Sequence, residues 1–461
     1  MIYIAIIIVY LVLMVVIGIL NRRLARSTDG FFVADRSRPM WLIIGGLVAT
    51  IIGGSATIGM AGLGFTRGVS GIWWLLVGSI GLLIMGLFLA AKVRNYALYT
   101  IPQLLEKQYN SRVSLIASIL IVIAWLGVIA GQIVATGKIM SVLQIGNPQM
   151  WMIVFTVIFI SYTLIGGQYA DIGTDMVQAV LIFIGIITGL VFMMIQIGGW
   201  DGLTSSLPPD RFSFPTSSSF GIIDLISYIF LIGLTYVVGP DIYSKIFCAK
   251  DAKTARRSTL WTAGIIAIFA VCITLVGMGT SVLFPKIAPE QAFPFMITNL
   301  FPPVIGGLVL AALVSATMSS ADSCVLSGST ILTLDVIKKL KPTLTEKQTL
   351  LIARGGVVLL GLLSLLLALF LSGVINALLF AYTVYTAGVI LPTLAGFYKE
   401  KLKVTPLAAM VAIIGGGGIG LISKLLAIKY LDLGALFISA ILLFAVSFIE
   451  RKVRTGRFST G

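Results

Sequence analysis

Apolar residues in this chain come in long runs, not in the single stripe of a helix lying on a water-soluble core. The runs recur at about 2–20, 40–64, 71–91, 113–141, 149–166, 174–198, 221–246, 258–284, 303–335, 349–372, 374–397, 404–423 and 433–449. Each is close to or above the roughly twenty residues that a helix needs to cross a hydrocarbon layer of about 30 Å. The pattern predicts an all-α polytopic membrane protein of about thirteen transmembrane helices. The first run has no basic lead-in and no small-residue cleavage site, and Asn21-Arg22-Arg23 follows it directly, so a retained helix is expected and not a signal peptide. The longest connection, 199–219, reads as a polar loop, and the stretch after Ile449 is too short for a soluble domain.

Composition agrees: 58% of the residues are hydrophobic and 11% charged, against about a quarter charged in a soluble domain. Charge then supplies the orientation. There are 32 Lys and Arg against 17 Asp and Glu. Gathered on one face, such an excess would suit nucleic acid; here it is dispersed among the loops. With the N-terminus outside, 26 of the 32 cations fall inside, including Arg22, Arg23, Arg26, Arg36 and Arg38 and, later, Lys245, Lys250, Lys253, Arg256 and Arg257. Only Arg67, Lys138, Arg211, Lys286, Lys424 and Lys429 remain outside. That asymmetry predicts a multi-pass protein of the inner (plasma) membrane with a cytoplasmic C-terminus. It places the lipid bilayer, and no nucleic acid, among the partners.

Several chemistries drop out. Histidine is absent, which removes imidazole metal sites and Ser-His-Asp catalysis, and without a nucleophile–base pair no enzyme is expected. Cys248, Cys272 and Cys324 lack metal-ligand spacing. No G-x-x-x-x-G-K-[ST] loop occurs, so ATP does not drive this chain.

Two apolar runs carry backbone-breaking residues near their middles. One contains Ile52-Gly53-Gly54-Ser55-Ala56; the other contains Val238-Gly239-Pro240-Asp241. Five helices separate them by count, and they cross in opposite directions. Such a pair points to an inverted-repeat transporter with its site at the unwound segments; glycines that only permit close helix packing are the plainer alternative. A third run, 303–335, places Ala316, Ser319, Ser320 and Ser323 on one helical face beside Asp322. A carboxylate at membrane depth is a functional candidate by default, and Asp322 and Asp175 both qualify. Asp175 reads alternatively as the first turn of an interfacial helix, and Asp335, next to Lys338 and Lys339, as an inner-face cap.

These residues resemble the sodium:solute symporter family. The resemblance is carried by Phe31-Phe32-Val33-Ala34, Ala49-Thr50, Ile58-Gly59-Met60-Ala61-Gly62 and Thr100-Ile101-Pro102-Gln103-Leu104-Leu105-Glu106-Lys107. It continues through Thr174-Asp175-x-x-Gln178, Gly239-Pro240-Asp241-Ile242-Tyr243-Ser244-Lys245 and the Ser315–Ser323 helix. It implies a leucine-transporter-like fold: a leader helix and inner loop (1–39), a first five-helix repeat (40–198), a second, inverted one (199–397), and two closing helices with a cytoplasmic tail (398–461). It implies sodium as coupling ion, held by the carbonyls of Ala49, Ile52 and Ala316 and the hydroxyls of Ser319 and Ser320. A second cation, or a proton, would fall on Asp175, Asp322 and Ser323, with Ser319 shared. The expected activity is secondary active symport by alternating access, with a proton-coupled carrier or an uncoupled uniporter or channel as alternatives.

The same resemblance puts a small-molecule solute between the breaks, against Ile51, Gly54, Ser55, Ala56, Gln132, Tyr236, Tyr382 and Tyr385, with Trp73 and Trp125 nearby. Sugar-carrying relatives place amides where this chain has Ile51 and Ala56, and proline carriers place an Asp at the position of Ile51. Free backbone N–H groups at a half-helix suit a carboxylate. The expected solute is therefore a small amino acid such as proline, or a monocarboxylate of the pantothenate kind.

Overall fold

The computed structural model describes residues 2–371, 373–426, 428 and 430–457, the side chains of 425 and 454–457 excepted. Lys429 from the charge count lies outside that description, as do the side chains of Arg454 and Arg457. The described residues form helices throughout, with no strand and only two isolated bridges, Arg38 with Ala249 and Ser217 with Phe220. By length and apolarity, 11 helices qualify as membrane spans, and Met40–Ile51 is a shorter apolar one. Thirteen separate spans are not reached by that measure, because two neighbouring pairs of expected segments run together. Ser55–Phe88 joins the end of the 40–64 segment to the next one. Pro148–Ile197 likewise joins 149–166 to 174–198 in one 50-residue helical run.

The second junction has a clear cause. At Gly167 the backbone takes φ 50° and ψ −144°, a region open only to glycine, so the chain changes direction without spending residues on a loop. A Cβ there would lie 2.6 Å from the Phe31 ring. The connection expected between the 149–166 and 174–198 runs is thus a single-residue kink followed by helix. The 199–219 loop is also partly ordered, with a helix at Gly199–Ser206 and a tight turn at Pro209–Phe212.

The helices grade from lipid-facing to buried. In Ile2–Asn21 only 28% of the apolar window is buried, and Val9, Leu20 and similar residues point outward; in Pro303–Leu340 the figure is 83%. Pro303–Ile331 therefore stands at the centre of the bundle. It packs against the 50-residue run, the leader helix, Ser111–Ser141 and Met40–Ile51. Its burial is what puts Ser319, Ser320, Asp322 and Ser323 out of reach of lipid.

Loops cross-tie both ends. At one, Arg36 donates to the carbonyls of Ala97 and Leu98, each at 2.9 Å, and Arg94 donates to the Ala249 carbonyl at 2.5 Å. At the other, Arg211 donates to the Phe65 carbonyl at 2.7 Å and Arg67 to the Tyr228 hydroxyl at 3.2 Å.

Candidate ion and solute site

The first break forms where its sequence runs out of helix formers. Met40–Ile51 ends at Ile52, whose N–H still reaches Val48 O at 2.9 Å while its φ −83° and ψ 67° leave the helix. Past Gly53 and Gly54 the chain re-coils as a wide π-turn over Ser55–Gly59 and continues as Met60–Arg67. The glycines are required by close approach: a Cβ on Gly53 would fall 2.2 Å from Ser320 Oγ, and one on Gly54 2.2 Å from Ala135 Cβ. The second break repeats the form. Val238 bonds back to Leu234 O at 3.1 Å with φ −137° and ψ 66°, and after Gly239 the helix restarts at Pro240, a residue suited to a first turn. Tyr385 donates its hydroxyl to the Val238 carbonyl left over by this break.

The hydroxyl face of Pro303–Ile331 lies against the first break. Ser319 Oγ donates to Ala49 O at 2.8 Å and to Ala316 O at 3.1 Å, and Ser320 Oγ donates to Thr50 O at 2.6 Å. Among the described residues no hydrogen bond ends on the Ile52 carbonyl, although Ile52 is fully buried. A buried carbonyl without a partner is costly, and a cation is a natural one. Three carbonyls and two hydroxyls, all uncharged and out of water, suit a hard monovalent cation at an unwound helix.

Between the two breaks lies a cavity of about 20 Å³, room for about one water. Of the expected solute contacts, Ile51, Ser55, Gln132, Tyr236 and Tyr382 line it, with Trp125. Gly54, Ala56 and Tyr385 do not. Gly54 instead donates its N–H to Gln132 Oε1 at 2.7 Å, Ala56 is enclosed in the π-turn, and Tyr385 packs edge-on against Trp125 with ring centres 4.8 Å apart. Trp73 is elsewhere, stacked on Phe214 and donating to Pro215 O at 2.8 Å.

Sequence reasoning missed several cavity residues, Thr50, Val128, Thr235, Ile242, Cys324 and, alone among them in carrying a charge, Asp241. Asp241 is partly buried in the first turn of Pro240–Cys248, where free N–H groups favour a negative charge, and its carboxylate forms no salt bridge among the described residues. Its nearest side-chain partner is the Cys324 thiol, with Sγ 4.0 Å away. Its place in the Gly-Pro-Asp break was a signal available in the sequence.

Beside the hydroxyl face is a second buried group. Asp171, Asp175 and Asp322 bring carboxylate oxygens within 4.8 Å of one another. Lys245 Nζ donates to both Asp171 Oδ2 and Asp175 Oδ2, and all three side chains are fully buried. Asp322 accepts from the Tyr162 hydroxyl at 2.5 Å, and Ser323 Oγ donates to Asp171 Oδ1 at 2.9 Å while standing 3.0 Å from Thr50 Oγ1. Lys245 is therefore no inner-loop anchor, as the charge count had it; it lies inside the bundle, paired where it can survive burial. Asp175 lies within a helix, not at an interfacial start. Asp335 is buried as well, and its neighbour Lys339 pairs at 2.7 Å with Glu106 instead.

The sequence profile of the Sodium:solute symporter family matches residues 31–416. The chain is 24% identical over 426 residues to a sodium/glucose cotransporter of Vibrio parahaemolyticus, covering 84% of this chain and 78% of that one. It is 26% identical over 387 residues to the high-affinity proline transporter PutP of Bacillus subtilis, covering 79% and 80%. In fold it is similar to the substrate-bound, outward-open structure of a Na+-coupled sialic acid symporter, with a TM-score of 0.83 over 97% of this chain and 98% of that one at 18% identity. A structure of MhsT in complex with L-phenylalanine follows at a TM-score of 0.58 and 15% identity, over 88% and 97%. With the two breaks, the buried hydroxyl helix and a profile match spanning most of its length, the chain belongs to the sodium:solute symporter family, whose members are membrane transporters and not enzymes.

Proposed function

We propose that this protein couples the entry of sodium to the uptake of a small solute that carries an ammonium group, of the amino-acid class, by alternating access. The single observation that carries the solute class is Asp241: a partly buried carboxylate lining the cavity and in no salt bridge among the described residues. A solute that closes over this carboxylate strips its remaining water, which is costly unless a charge replaces it, and a solute ammonium would do so. A monocarboxylate would meet like charge at the same place. Proline carriers of the family put an Asp at the position of Ile51; here the carboxylate comes from the opposite broken helix. The relative named for proline transport supports this reading, and the apolar Ile51 and Ala56 argue against the sugars named for other relatives.

Sodium is proposed to sit on Ala49 O, Ile52 O, Ala316 O, Ser319 Oγ and Ser320 Oγ, holding the first break against the hydroxyl helix. Residues 40–198 and 199–397 are proposed as the two inverted repeats. The end cross-tied by Arg36 and Arg94 is proposed to face the cytoplasm, as the cation asymmetry of the loops suggests.

The test is thermal stabilisation of the purified protein by a panel of amino acids, monocarboxylates and sugars, each with sodium and with choline in its place. Stabilisation by one or more amino acids only in sodium, lost in Asp241→Asn, is expected. Stabilisation by a monocarboxylate alone, or equally well in choline, overturns the reading.

A further inference from the structure

We infer that the ammonium of Lys245 is a cation built into this carrier, standing where a second free ion would otherwise bind, so that the protein takes up one sodium and not two. The inference rests on the sodium coupling proposed above.

The three carboxylates of Asp171, Asp175 and Asp322 converge as the ligands of a metal ion would. Asp175 Oδ1 is buried and has no hydrogen-bond partner, so the group has ligand capacity beyond what the protein itself fills. Two of its carboxylates are nonetheless bridged by one side chain, Lys245. Lys245 already offsets part of the carboxylates' charge, and a free cation seated beside its ammonium would meet that like charge at close range, weakly screened in a dry interior. The surroundings are also filled. A Cβ on Gly46 would lie 3.4 Å from Lys245 Cδ and 3.5 Å from Asp175 Oδ2, so the first broken helix closes directly over the group.

Lys245 joins three things that must move together. It stands one helical turn after Asp241, on the helix that restarts at Pro240. Its partner Asp171 accepts from Ser323, which meets Thr50, whose carbonyl accepts from Ser320 of the proposed sodium set. A tethered cation there links the solute helix to the sodium helix without consuming an ion in each cycle. A free second ion would have to be released and rebound.

Sodium alone is a sufficient probe: equilibrium binding of radiolabelled sodium to the purified, bilayer-reconstituted protein, counted per chain. The wild type is expected to bind one sodium, and Lys245→Met two, the second lost again when Asp175→Asn is added. Two sodium ions per wild-type chain overturn the inference, as does a folded Lys245→Met that still binds one. Should Lys245→Met fail to purify, Lys245→Gln and the wild-type count decide by the same criteria. No sodium bound to the wild type would instead refute the sodium reading of the Ser319–Ser320 site, so the two failures are distinguishable.

Discussion

Replacing both hydroxyls, Ser319→Ala with Ser320→Ala, tests the ion site at its most exposed assumption. Each hydroxyl reaches a carbonyl of the first broken helix, at 2.8 Å to Ala49 O and 2.6 Å to Thr50 O, and each is also a proposed sodium ligand. A hydrogen-bond-like contact to a charged group contributes about 1.5–3 kcal/mol net. Losing two of five ligands should therefore cost about 3–6 kcal/mol of sodium binding, roughly a 10²- to 10⁴-fold rise in the sodium half-saturation concentration. The single variants should each show about the square root of that factor, if the two ligands act independently. Folding is affected less, because alanine is a good helix former and the lost hydroxyl–carbonyl bonds contribute only about 1 kcal/mol each. The assay is a sodium titration of protein stability, or of solute uptake once a solute is found, in the wild type and all three variants. A double variant whose sodium response keeps its wild-type midpoint would refute the assignment of these two serines.

Further outcomes follow from other contacts. Gly53→Ala, whose Cβ would fall 2.2 Å from Ser320 Oγ, should weaken sodium binding at least tenfold in the same titration, since either Ser320 or the break must shift. Gln132→Ala removes the acceptor of the buried Gly54 N–H and should lower stability by about 1–3 kcal/mol, read as a drop in melting temperature. Asp251 caps the helix Ala252–Leu283 by accepting from Thr254 N at 2.6 Å, so Asp251→Ala should cost about 1 kcal/mol. Those same bonds hold the Asp251 carboxyl below its usual range, so its contribution is full above the ordinary carboxylate pKa and fades as pH falls through the depressed one. Melting temperatures of wild type and Asp251→Ala should accordingly converge in acid. Lys339→Ala removes a partly exposed pair with Glu106 and the bond its ammonium donates to Ser114 Oγ at 2.6 Å, and should lower stability by about 1 kcal/mol, read as a drop in melting temperature.

Hydropathy and loop charge were enough to read the helical architecture, because lipid imposes length and apolarity on each span independently of its neighbours. The Ser319–Ser320 face was legible for a related reason: hydroxyls three and four residues apart share a helix face wherever the helix sits. What could not be read was partnership across the bundle. Lys245 looked like any cation at a span's inner end, and Asp171 looked like part of a short turn. Only the kink at Gly167, which turns expected loop into helix, carries Asp171 into the interior to meet it. Asp241 was quoted as part of a motif, yet its exposure to the cavity depends on the angle at which the second broken helix restarts. The family resemblance put Tyr385 beside the solute with Tyr382; three residues further along the helix, it holds a backbone carbonyl instead.

The small cavity between the breaks has a consequence for fidelity. With room for about one water, this cavity cannot itself hold a continuous file of water molecules. Without such a file, neither hydrated ions nor protons hopping along water can slip across on their own. Resistance to leak would then come from close packing of Trp125, Tyr236 and Tyr382, and enlarging that gap with smaller side chains should make the membrane permeable before it makes the carrier faster.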